Sequence, residues 1–270
     1  MKQRAIFAMM AAAVFSANAT CYQAPAGEPE VIEPDSTGFT FTDVKINRHG
    51  SVKDQNKSGT CWAFSGVSTL EDNVMRKGGP ELDVSEMFIV RNAYIDKAKK
   101  YMRMNGKCNF AQGGSFGDVL NMTARYGAMP EEAYTGLNYG EKKHSHYEMA
   151  EAMEAYLNAV LARGQKNSKL TTAWLEGLKG ILDAYLGPVP ETFTYKGKTY
   201  PPVQWAAEMG LEPESFINFT SYTHHPFYES FILEIPDNWA WTESVNVPME
   251  EMQQIVDNAR DKGWTVMWAA

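Results

Sequence analysis

One cysteine stands among residue types that suit a thiol nucleophile. The segment Asp54-Gln55-Asn56-Lys57-Ser58-Gly59-Thr60-Cys61-Trp62-Ala63-Phe64 leads into an apolar-periodic run. A cysteine at a helix N-terminus meets unpaired backbone N–H groups and the positive end of the helix dipole, and both favour the reactive thiolate. Gln55 lies six residues earlier. Its amide can point an N–H at an oxyanion beside the cysteine's own backbone N–H. Gly59 permits close approach of backbone and substrate, and Trp62 offers a flat apolar wall. Together these residues point to attack of Cys61 on a carbonyl, with Gln55 and the Cys61 N–H holding the oxyanion. The competing reading is a core thiol without chemistry.

A scaffold must position these groups, and the spacing of apolar residues outlines it. Phe64, Val67, Leu70 and Val74 predict a helix from Trp62 that Gly78-Gly79-Pro80 stops. Asp83-Val84-Ser85-Glu86 reads as a capping box opening a helix through Tyr101. A third helix is predicted over Phe116–Tyr126, closed by Gly127. Tyr147–Arg163 and Thr171–Leu186 read as two more helices joined by residues 164–169. "TFTYKGKTY" predicts a hairpin turning at Lys196-Gly197, and "SFINFTSY" and "ESFILEI" have strand composition. Pro248, Glu250 and Glu251 open a last helix that Gly263 closes. "WTVMWAA" then reads as the start of a strand that wants neighbours on both faces, as if the sequence were the front part of a longer protein.

Of the 270 residues 44 % are hydrophobic and 21 % charged, an ordinary globular composition. The net charge of −8 argues against a nucleic-acid partner, which needs a basic surface. Lys2 and Arg4, the apolar run Ala5–Phe15 and the small-residue pattern Ala17-Asn18-Ala19 read as a secretory signal peptide over residues 1–19. The expectation is therefore export to a periplasmic or extracellular space. A lipoprotein anchored through Cys21 is the weaker alternative, because Thr20 is a poor residue to precede a lipidated cysteine. Residues 20–38 read as a flexible leader and 39–270 as the domain. No other apolar run approaches membrane-spanning length. Of the three cysteines, Cys21 with Cys108 is one possible pair, and Cys61 is the one with a chemical context.

"QNKSGTCWAFS" resembles the active-site segment of papain-like cysteine peptidases. Ser58 stands where many relatives have a disulfide-forming cysteine, which points to the subgroup of bleomycin hydrolase and bacterial aminopeptidase C. "DVSEMFIVRNAY", "GGSFGDVLNMTARYGAMPEEAY" and "FTSYTHHPFYESFILEIPDNW" resemble the same subgroup, from about Phe41 to Ala270. The resemblance implies an α+β papain-like fold with a helical lobe carrying the nucleophile and an incomplete β-rich lobe, with a helical insertion over about 141–187. It implies a peptide substrate, an aminopeptidase activity without cofactor or metal, and assemblies of six copies. It also implies a catalytic histidine and an orienting asparagine after the strand that "WTVMWAA" begins, outside these 270 residues. The alternative of another class is a peptide-binding or vestigial papain-fold protein lacking both groups.

Other motifs have plainer readings. His224-His225 and Asn238-Trp239 mimic the missing pair but lack its flanking residues, so they read as scaffold. Gly113-Gly114-Ser115-Phe116-Gly117 matches the nucleophile elbow of serine hydrolases without the strand that must precede it. Gly113 and Gly114 read instead as an extended edge where a peptide backbone approaches, or as a tight turn. His144, His146 and Glu148 are too few for a zinc site. Cys108 reads as a loop or core thiol.

Overall fold

Helical spacing of apolar residues builds the first core in the computed structural model, which describes residues 38, 39, 42, 45–138, 140–167 and 169–269. Helix α1 (Cys61–Arg76) turns Val67, Leu70 and Val74 inward, as their spacing predicts. Helix α2 (Glu86–Arg103) is buried along most of its length, and α3 (Phe116–Tyr126) buries Val119 and Met122. Gly66 lets α1 and α3 touch, since a Cβ there would lie 2.7 Å from the Val119 side chain. The expected capping box at Asp83 does not form. Ser85 is the N-cap and accepts from Phe88 N at 3.0 Å, while the Asp83 carboxylate is drawn 2.9 Å from Lys53.

The insertion is a second helical layer. In α4 (Tyr147–Asn167) Met149, Met153, Leu157 and Leu161 recur every fourth residue, as do Leu178, Leu182 and Leu186 in α5 (Ala173–Leu186). These two rows form one apolar seam. The sequence spacing stops α4 at Arg163, yet the helix continues through Gly164. Leu170 packs over that glycine, so tertiary contact outweighs its poor helix propensity. An Arg91–Asp183 ion pair ties α5 to α2.

Strands are few and short. β1 (Phe193–Tyr195) and β2 (Lys198–Tyr200) form the expected hairpin, with Lys196 and Gly197 both at positive φ as its two-residue turn requires. Helix α6 (Pro202–Glu208), which sequence spacing does not reveal, buries Trp205 against Phe193 and Tyr195. The remaining sheet has the order β3 (Phe219–Thr220), β5 (Glu243–Asn246), β4 (Ser230–Ile232). β3 runs parallel to β5 and β4 antiparallel to it, in the register Phe219↔Val245↔Ser230. Most of "SFINFTSY" and "ESFILEI" is therefore loop, and β5 went unanticipated because it lacks strand composition.

Helix α7 (Met249–Asp261) follows, and the expected strand after it is absent: residues 264–269 pair with no strand among the described residues. This segment instead docks on α1. Thr265 N donates to Asn73 Oδ1 at 3.1 Å, Thr265 Oγ1 donates to Asp72 Oδ2 at 3.1 Å, and the Arg76 guanidinium lies 3.9 Å over the Trp264 ring. Lys45–Ala270 forms one unit of α+β structure. The signal segment, Cys21 and most of the leader lie outside the described residues. No described helix is long and apolar enough to cross a membrane.

Candidate active site

Cys61 is the first residue of α1, and its free thiol is exposed. The first N–H groups of a helix have no partner within it. Here Thr60, the N-cap, contributes no side-chain hydrogen bond, and no acidic residue occupies the first turn. The mouth of α1 is thus left open to a negative charge from solvent, which suits a thiolate or an oxyanion. The thiol opens on a cleft of about 670 Å³ that Gln55, Phe64 and Ser68 also line. Cys61 and Gln55, paired by sequence reasoning, therefore share one cleft.

Hydrogen bonds shape the loop that carries Gln55. Gln55 Nε2 donates to Ser58 O at 2.8 Å, and Ser58 Oγ donates back to Gln55 O at 2.8 Å. Since the Ser58 proton is engaged there, Thr60 Oγ1 is the donor in its 2.6 Å contact with Ser58 Oγ. Asn56 takes positive φ, and its N–H donates to Asp54 Oδ1 at 2.7 Å. One N–H of the Gln55 amide is engaged with Ser58 O, so the second is the one available to a substrate oxygen.

Below this loop lies a buried charge cluster that sequence reasoning missed. Lys53 Nζ sits 2.8 Å from Glu71, 2.9 Å from Asp83 and 3.2 Å from Glu86. Glu71 also accepts from Val84 N at 2.6 Å. Burial works against the Lys53 charge, but Glu86 and Glu71 outweigh it and raise its pKa above the usual lysine value. Burial pushes Glu71 up to about 7 against the pull of Lys53, and Glu86 moves the same way. Glu131 is pushed up to about 8, first by burial and then by the charges of Glu86 and Asp83. The ammonium pins the start of the loop to α1 and α2, two residues ahead of Gln55.

The other flank of the α1 mouth is residues 111–115. Gln112, also unrecognised from sequence, joins it to the first flank. Its Oε1 accepts from Gly59 N at 2.8 Å and its carbonyl accepts from Trp62 Nε1 at 3.0 Å. Trp62 is not the substrate wall the sequence suggests. It is 4 % exposed, because its indole is turned under the 112–114 segment. Gly114 rests on it, and a Cβ there would lie 2.8 Å from the ring. The Asp237 carboxylate takes the space a Gly113 Cβ would need. Both glycines are thus demanded by contacts within the chain, and neither lines the Cys61 cleft. Buried Lys97 holds this segment from behind, donating to Gly113 O and, at 2.8 Å, to Ala111 O. Burial lowers Lys97 to about 8, with Asp118 and Asp237 opposing.

The remaining candidates fall outside the cleft. Ser115 caps α3 and its N–H donates to Asp118 Oδ2 at 2.7 Å, with no strand before it, so no nucleophile elbow exists. His225 stacks on Phe231 at 3.9 Å, in a turn held by three carbonyl contacts from Asn246 Nδ2. Asn238 Nδ2 donates to Leu233 O and Thr242 O, so that asparagine is scaffold. His146 is 3 % exposed beside His144, and burial lowers its pKa to about 4. No group of residues suited to a metal occurs among the described residues. Cys108 is a free, half-buried thiol whose pKa burial raises. His49 lines the Cys61 cleft, its Nδ1 bonded to Gly50 O at 2.8 Å. No imidazole among the described residues is bonded to Cys61.

An exposed thiol at an uncapped helix mouth, with a side-chain amide across the cleft, defines a thiol-nucleophile layout. Residues 40–184, more than half of the chain, match the family described as papain family cysteine protease. The chain belongs to that family. It is 38 % identical over 63 residues to cathepsin K of Gallus gallus, covering 20 % of this chain and 19 % of that protein. It is 34 % identical over 77 residues to cathepsin L of Sarcophaga peregrina, covering 23 % of each. Among solved structures, PepW from Lactobacillus rhamnosis HN001 (DR20) superposes with a TM-score of 0.64 at 16 % identity, over 83 % of this chain and 59 % of that one. The fold is therefore papain-like, and the matches span about a fifth to a quarter of the two cathepsins and 59 % of PepW.

Proposed function

We propose that the chain provides the nucleophile side of a cysteine peptidase. Cys61 attacks the scissile carbonyl as a thiolate, and the Cys61 N–H and the second Gln55 N–H receive the oxyanion. An imidazole then protonates the leaving amine. That imidazole and its orienting asparagine are part of this proposal, supported by the family resemblance, and are not identified among the described residues. The exposure of Cys61 at the uncapped mouth of α1 is the observation that carries the reading. Aminopeptidase specificity of the bleomycin hydrolase type and six-fold assembly, supported by the sequence resemblance, and export, supported by the signal-like pattern of residues 1–19, are further parts of the proposal.

A thiol-directed peptide warhead tests it. Cys61 should be modified at least about tenfold faster than Cys108, and Gln55→Ala should slow that reaction. Equal rates at the two thiols would end the peptidase reading. One observation favours a second reading, a peptide-binding protein without turnover: no described imidazole is bonded to Cys61. Saturable peptide binding together with inert Cys61 would select it.

A further inference from the structure

A second concavity, of about 600 Å³, lies between α2, α3 and the loop after Trp239, and none of its lining residues lines the Cys61 cleft. Its charge runs against the rest of the molecule. Lys99, Lys100, Arg103 and Arg125 line it with one carboxylate, Asp96, in a chain of net charge −8. Asp96 is already engaged by Lys99 at 2.8 Å, Arg125 at 2.7 Å and the Tyr126 hydroxyl at 2.8 Å. Arg103 is exposed and has no ion-pair partner among the described residues. Lys100 has no carboxylate either; its ammonium lies 3.3 Å over the Trp241 ring.

Trp241 is 54 % exposed and sits at φ +61. A bulky residue in the left-handed region is strained by roughly 1–3 kcal/mol. Asn238 enforces that conformation: its carbonyl accepts from Trp241 N at 3.0 Å and its Oδ1 from Thr242 N at 2.9 Å. The loop thus holds a large indole outward over Lys100, on a surface where four cations share the single carboxylate of Asp96. Met104 and Met122 complete the apolar floor. Tryptophan, arginine and methionine together are the composition of protein-interface centres. Arginine forks grip carboxylates in pairs.

We propose that this concavity docks an acidic polypeptide segment of another protein. Its carboxylates pair with Arg103, Arg125 and Lys99, and an apolar side chain lies against Trp241. This goes beyond the peptidase reading and does not depend on it. The volume suits a few residues of extended chain, within the roughly 300–1,000 Å³ of typical ligand sites.

The test uses the full chain and a fluorescein-labelled Glu-Glu-Leu-Glu-Phe-Glu-Glu peptide, read by anisotropy. Saturable binding in the roughly micromolar range is expected, weakening steeply with added salt. The same peptide with glutamine for glutamate should bind at least about tenfold more weakly. Arg103→Glu and Trp241→Ala should each weaken binding about tenfold without lowering the melting temperature. Absent or non-saturable binding, equal binding of the glutamine peptide, or indifference to Arg103→Glu would overturn the proposal. So would a sulfated oligosaccharide that displaces the peptide at lower concentration, which would reassign the surface to polysaccharide. A dimer in sedimentation that Arg103→Glu dissociates would reassign it to a second copy of this chain.

Discussion

Two lysines, Lys53 half-buried and Lys97 buried, hold the two flanks of the α1 mouth, and their pKa values are shifted in opposite directions. Lys53, under the Gln55 loop, is surrounded by Glu71, Asp83 and Glu86 and is driven above the usual lysine pKa. Lys97, behind Gly113, bonds two neutral carbonyls and is lowered by burial to about 8. Desolvation acts on both, so the difference lies in what each ammonium meets. On one flank the lysine neutralises a surplus of carboxylates. On the other it is first a hydrogen-bond donor that tethers a chain segment, with Asp118 and Asp237 acting on its charge without an ion-pair contact. Such a lysine therefore reports its role through its partners and not through its depth.

The sharpest way to break this comparison is to remove each ammonium. Lys53→Met should cost about 3–5 kcal/mol at pH 7, because it strands buried carboxylates. Denaturant unfolding should show much of that loss recovered near pH 5, where the carboxylates take up protons. Lys97→Met should cost about 1–3 kcal/mol, mainly for two unpaired carbonyls, with a smaller recovery in acid, because it also removes the ammonium that faces buried Asp118. Equal losses with equal pH responses would erase the distinction.

Gly114→Ala tests the packed flank alone. The added methyl meets the Trp62 ring at 2.8 Å, and a loss of about 2 kcal/mol is expected from the same unfolding measurement. Glu131→Gln tests the charged flank. Its folded pKa of about 8 stands above the unfolded value, so the stability that the protonated carboxyl contributes below the unfolded pKa is lost as pH rises from there to about 8. The substitution should therefore raise stability by about 1–2 kcal/mol at pH 8.5 and change little at pH 5. The smallest effect lies at His146. Its folded pKa of about 4 is below the unfolded value, so the neutral ring keeps full stability above about pH 6.5 and loses it toward pH 4. His146→Phe should remove about 1 kcal/mol of that acid-side loss in thermal melts at pH 5.

The helices other than the seven-residue α6 were legible because Val67, Leu70 and Val74, or Phe116 through Tyr126, repeat at a helical period. The small sheet was not. Its strands pair over two to four residues, too few for alternation to register. Cys61 and Gln55 were legible as a pair because helix mouth and loop are local in sequence. Trp62 was misread because nothing local says which way an indole turns, and Gln112, fifty residues away, decides it. Lys53 drew no reading from sequence, since its three carboxylate partners arrive from α1, α2 and the segment between them.

The serine at position 58 has one more implication. The turn ahead of the thiol is fastened by hydroxyl groups, Ser58 to Gln55 and Thr60 to Ser58. Dithiothreitol or glutathione has no bond to sever there. The turn's geometry is thereby uncoupled from the redox poise of its surroundings, and at this turn a reductant acts on the Cys61 sulfur and not on the fastening.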